Sequence, residues 1–178
     1  MIQIIILLFI SSSFTYAQTL NSNDTLHWKS DSSLTWNDFK GDPIEGVGLK
    51  GEVFCMNLAN FEKPNRFQKT KFSVVSIFDR TKAWITKGSK SAQTLQYFQT
   101  MFNIYEVHAR KLRKDLSESV FGDNPNPLFQ EKYNASMTNL TNEFNEFKKE
   151  TKLGSDKIAL AKWKIMVKEE LQLLDAYK

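Results

Sequence analysis

The chain has 178 residues, a formal net charge of +4 and a single cysteine, Cys55. That length suits one domain of ordinary size. One cysteine excludes an intramolecular disulfide, so the fold must rest on its core, for which fourteen Phe and four Trp supply the bulk.

The first element in chain order reads as an export signal. Residues 1–17 carry an apolar run from Ile4 to Ile10, then small polar residues and a Thr-Tyr-Ala triplet ending at Ala17. The run is far shorter than the ~20 residues a spanning helix needs. Gln18, not a lipid-accepting cysteine, follows the expected cleavage point. The sequence therefore predicts a secreted or periplasmic chain, cleaved after Ala17, with no membrane span and one domain over residues 18–178.

That domain divides into a strand-rich part, residues 20–86, and a helical part, residues 89–177. Extended pieces are expected around Leu26–Trp28 and Leu34–Trp36, and the cluster Lys40-Gly41-Asp42-Pro43 reads as a turn. VGLKGEVFCMNLANF is weakly alternating and rich in strand formers. In the next strand Phe72, Val74, Ser76 and Phe78 alternate with Ser73, Val75, Ile77 and Asp79, which predicts one buried face and one mixed face. Three helices follow, each with an apolar stripe at steps of three and four. The first carries Leu95, Phe98, Phe102, Tyr105, Ala109, Leu112 and Leu116. The second carries Phe129, Tyr133, Met137, Leu140, Phe144 and Phe147, and the third Leu160, Trp163, Val167, Leu171, Leu174 and Tyr177. Gly122 and two prolines end the first helix. The expected fold is α+β, a small antiparallel sheet followed by three helices.

Chemistry-bearing residues are few. Cys55 sits in the apolar string VFCMNL with no paired histidine and reads as a buried small hydrophobe. His108 is expected at a surface or boundary, pointing to a different side of its helix from Glu106. Glu106 and Arg110 are four apart in the orientation that favours a helix ion pair, either exposed and worth ~0.3–0.5 kcal/mol or fixing the helix against the sheet. ARKLRKD reads as a solvated, positively charged helix end. Asp38 and Asp79 both sit in structural-looking motifs. Between Glu62 and Lys90 eight Lys or Arg face two acids, which reads as a solvated surface since no nucleic-acid module accompanies it. No nucleophile elbow or phosphate loop occurs.

Four segments, in order, resemble a secreted bacterial zincin-like family of candidate metalloproteases, mostly catalogued as a domain of unknown function. LTWNDFKG supplies Leu34, Trp36, Asp38, Phe39 and Gly41, and FDRTKAWIT supplies Trp84. FNIYEVHARKLRKDL is similar to the stretch after the family's HExxH, including Ile104, Glu106, Ala109 and Arg110. A final segment carries Glu150, Thr151 and Trp163. HExxH sets two imidazoles on one helical face so that both reach one zinc, with the Glu as base toward metal-bound water. By the resemblance the two His slots hold Tyr97 and Met101, the base slot Phe98, and the third ligand slot Leu153. Phenol, thioether and hydrocarbon are poor substitutes for imidazole at zinc.

The resemblance therefore implies a zincin-like fold whose metal chemistry has been replaced by packing, with no cofactor and no catalytic residue. The expected function is an inactive, exported binding or structural module of the envelope. A peptide or protein partner would sit in the former substrate cleft over Tyr97, Phe98, Met101, Glu106 and Arg110. The alternative is a hydrolase with a rebuilt site around Glu106 and His108, drawing on His27. A third is an envelope protein whose basic middle segment meets an acidic partner.

Overall fold

The computed structural model describes residues 24–44, 49–62 and 69–178, and the expected signal at residues 1–17 lies outside them. The fold is α+β, with a small antiparallel sheet and three helices. Strands β1 (Thr25–His27), β3 (Cys55–Glu62) and β4 (Lys71–Asp79) form an antiparallel sheet in the order β1-β4-β3. A second ribbon pairs the two-residue strands β2 (Gly51–Glu52) and β5 (Trp84–Ile85). Helices α1 (Ala92–Glu118), α2 (Asn126–Glu150) and α3 (Lys157–Leu173) follow, and a 3₁₀ turn at Asp175–Tyr177 returns the chain toward α1.

The alternation in β4 sets the layer. Val74, Ser76 and Phe78 are buried while Ser73 is exposed, and Ile77 makes the opposite face mixed. β3 pairs with β4 in a register that puts Asn57 opposite Ser76. The Ser76 hydroxyl donates to Asn57 Oδ1 at 2.8 Å, and Asn57 Nδ2 donates to the Tyr105 carbonyl of α1 at 2.9 Å. A polar pair is thus buried between sheet and helix with its hydrogen bonds made, which removes the usual penalty for burying amides.

Helix α1 is the centre. Ser91 caps it, its hydroxyl accepting from the Thr94 amide at 3.1 Å. One end of its stripe packs Phe98 and Phe102 under the sheet, where Phe102 and Phe78 lie 5.7 Å apart between ring centroids. The other end packs Ala109, Leu112 and Leu116 against Val74 and Phe129. Leu140, Phe147, Leu160, Trp163 and Val167 bring α2 and α3 onto the same core.

The segment Leu34–Trp36 is not a strand. Leu34 is buried, and Trp36–Asp38 is a 3₁₀ turn fixed by Asp38, whose carboxylate accepts from the Thr35 amide at 2.7 Å and the Thr35 hydroxyl at 2.8 Å. A side chain that caps its own backbone competes with sheet pairing, and here the turn wins.

Candidate functional site

The four motif segments, distant in sequence, meet around the first half of α1. The Leu34 amide donates to Gln99 Oε1 at 2.7 Å, and the Phe39 ring lies 5.3 Å from Phe98 and 5.4 Å from Trp36. The first segment also binds the second. Arg80 pairs with Asp38 at 3.0 Å, and the Gly41 amide donates to the Ala83 carbonyl at 2.8 Å. A Cβ at Gly41 would stand 2.7 Å from the Thr81 carbonyl, so only glycine fits this approach. Asp79 accepts from the Thr81 amide and hydroxyl and the Lys82 amide. Burial opposes its ionisation, but these donors and the Lys82 charge outweigh it and hold its carboxyl below the usual range. Asp38 and Asp79 therefore serve separate turns.

Tyr97, Phe98 and Met101 are all buried. Tyr97 stacks on Phe147 at 5.1 Å, Phe147 meets Trp163 edge-on at 5.3 Å, and the Trp163 indole donates to Glu150 Oε2 at 2.7 Å. Burial pushes the Tyr97 phenol up to about 12. The turn between α2 and α3 closes over this ring. Gln93 Nε2 donates to the Gly154 carbonyl at 2.7 Å, and a Cβ on Gly154 would lie 2.6 Å from the Tyr97 ring. Lys152, Leu153 and Gly154 in succession have left-handed backbones, and Leu153 itself is 58% exposed. The segment bearing Leu153 therefore comes beside Tyr97, but its side chain faces solvent. An open cleft lined by Tyr97, Phe98 and Met101 is corrected by this packing. Phe39 lies against Phe98, and Phe147 and the Gly154 turn lie against Tyr97.

Glu106 and Arg110 are not an exposed pair. Both are buried, Arg110 at 1% exposure, and Arg110 Nε donates to Glu106 Oε1 at 3.0 Å. Arg113, which the sequence pattern did not single out, donates to the same oxygen at 3.0 Å. Arg110 also donates to the Leu171 carbonyl at 2.7 Å and stacks over the Trp28 ring at 5.1 Å. Arg113 donates to the carbonyls of Val74 and Tyr177, each at 2.8 Å. One carboxylate and two guanidinium groups thus join α1 to the sheet and to the chain after α3. ARKLRKD is accordingly no wholly solvated helix end. The only hint in the sequence was Arg at three and seven residues beyond Arg110 and Glu106.

His108 is buried rather than superficial. Its Nε2 lies 2.9 Å from Glu143 Oε2 on α2, beside Lys111, which reaches Glu143 at 3.6 Å and Glu170 at 2.7 Å. Burial disfavours the Glu143 carboxylate, but the His108 hydrogen bond and the Lys111 charge prevail and lower its affinity for protons. His108 and Glu106 are therefore engaged on different sides of α1 with different partners. His27 is exposed on β1 and shares a surface cavity of about 390 Å³ with Trp28, Glu106 and Arg113. Cys55 is buried, and burial pushes its thiol far up from the ordinary value.

Among the described residues no group of three or more His, Cys, Asp or Glu is arranged to hold a metal ion, and no helix is long and apolar enough to cross a membrane. Comparison with protein-family models, curated proteins and solved structures finds no match to the chain.

Proposed function

We propose that this chain is an exported, non-catalytic zincin-like domain, retained as a binding or structural module of the cell envelope. The observation that carries the proposal is the burial of Tyr97, Phe98 and Met101 in one core, with the first motif segment packed on Phe98 and the last on Tyr97. Phe39 packs on Phe98, Phe147 and the Gly154 turn pack on Tyr97, and Trp163 backs Phe147. In the family the corresponding helix positions hold zinc ligands and a base. Here two buried rings and a buried thioether occupy them, and ring pairs of this kind are worth about 0.5–1.5 kcal/mol each beyond simple burial. Glu106 supports the same proposal, since both its neighbours Arg110 and Arg113 donate to it and engage it in the packing of α1.

The export part rests on residues 1–17. A function in binding then calls for a surface other than the filled interior.

The test uses purified residues 18–178. Zinc content after dialysis against buffered zinc is expected near zero, with no chelator-sensitive cleavage of casein or a peptide library. Stoichiometric zinc together with chelator-sensitive cleavage would overturn the proposal.

A further inference from the structure

Helix α3 is apolar on two opposite sides. Its inner side buries Leu160, Trp163 and Val167 against α1 and α2. Its outer side exposes Ile158 at 85%, Ile165 at 58% and Leu173 at 82%, with Met166 partly exposed beside them. At about 100° per residue, these four together with Lys162 and Glu169 fall in one band about 100° wide, opposite the buried stripe. Lys162 and Glu169 are both exposed. A surface helix ordinarily turns polar residues outward, and a second apolar stripe marks a face built for a partner.

The order of residues in the band identifies the partner. We propose that α3 pairs antiparallel with α3 of a second copy of this chain, about a two-fold axis between Ile165 and Met166. That arrangement sets Ile158 against the partner's Leu173, Ile165 against the partner's Met166, and Lys162 against the partner's Glu169. Two-fold symmetry repeats each contact, so one band provides two apolar end contacts, a central apolar pair and two ion pairs of opposite sign. A parallel pairing would instead oppose Lys162 to its own copy and Glu169 to its own, placing like charges together.

The helix is about 25 Å long, so the contact is a strip about 10 Å wide, smaller than the roughly 800 Å² per partner of a standard interface. The dimer is therefore reversible and concentration-dependent. It uses a surface remote from the filled interior and does not depend on how that interior is interpreted.

Sedimentation equilibrium of residues 18–178, from about 10 µM to about 1 mM, tests the pairing. The wild-type chain is expected to dimerise over this range. Lys162→Glu and Glu169→Lys, each placing two like-charge contacts across the axis, are expected to weaken the dimer about tenfold at low salt. The double variant K162E/E169K is expected to restore it. Ile165→Glu is expected to leave only monomer while the circular dichroism spectrum and thermal midpoint stay unchanged, because the position is outside the core. A chain that remains monomeric at the highest concentration overturns the proposal, whether or not the stripe then captures a helix of another protein. So does a dimer that the single charge reversals leave unmoved.

Discussion

Replacing Glu106 by alanine removes the shared anion of a buried cluster. Three charge-assisted hydrogen bonds disappear, one from Arg110 at 3.0 Å and two from Arg113 at 3.0 and 3.4 Å. Their consequences differ. The Arg113 side chain is partly exposed and keeps two carbonyl acceptors, so water can take up much of its loss. Arg110 is buried and keeps the Leu171 carbonyl, the Trp28 face and a long approach to Asp175 at 3.7 Å. Removing one partner of a buried pair costs about 3–5 kcal/mol because the other charge is left uncompensated. The remaining contacts of Arg110 place Glu106→Ala at the lower end, about 3 kcal/mol, a large part of a total stability of about 5–15 kcal/mol. Urea unfolding at neutral pH measures it as a fall in midpoint with unchanged slope. A loss below about 1 kcal/mol would show that the pair behaves as a solvated surface bridge and would refute this reasoning.

Gly154→Ala is expected to cost about 2–4 kcal/mol, from a left-handed backbone and a collision with the Tyr97 ring, whereas Gly88→Ala, which meets nothing nearby, is expected to be close to neutral in the same melts. Cys55 is expected to react with a thiol reagent only as fast as the protein opens, so labelling in native buffer should be slow and should accelerate across the urea transition. Asp79 and Glu143 have carboxyls held below their unfolded values, so their contribution is present above about pH 4.3 and is lost as pH falls through the lowered folded values. Denaturant midpoints should therefore drop on acidification below that range, and Asp79→Asn with Glu143→Gln should flatten the dependence.

Where burial follows a regular period, the sequence showed the structure. The alternation of Phe72, Val74, Ser76 and Phe78, the stripes ending at Leu116 and Phe147, and the third stripe as far as Val167 emerge as the core because pleat and helix repeat mechanically, whereas α3 stops at Leu173 and Tyr177 lies in a 3₁₀ turn. The turn at Trp36 was misread, although Thr35 and Asp38 have the three-residue spacing of a cap, which an apolar Leu-x-Trp pattern obscured. The ribbon of Gly51–Glu52 with Trp84–Ile85 is too short for any period to register. The burial of His108, Arg110 and Arg113 is not legible in the sequence because burial of a charge depends on partners elsewhere. Those partners, Glu143 and the carbonyls of Leu171 and Tyr177, lie 35 to 64 residues away. Local spacing carries no trace of them.

The tie from Arg113 to the Tyr177 carbonyl also sets a clock on the birth of the domain. Those groups are separated by 64 residues, which a ribosome adding about 5–20 residues per second takes about 3–13 s to traverse. Throughout that interval Arg113 has Glu106 and the Val74 carbonyl within reach but not its acceptor at Tyr177, and Arg110 has Glu106 but not the Leu171 carbonyl. The contact of helix α1 with the strands made before it is thus completed by the segment made after it. A chain halted short of Leu171 would leave both guanidinium groups one acceptor short.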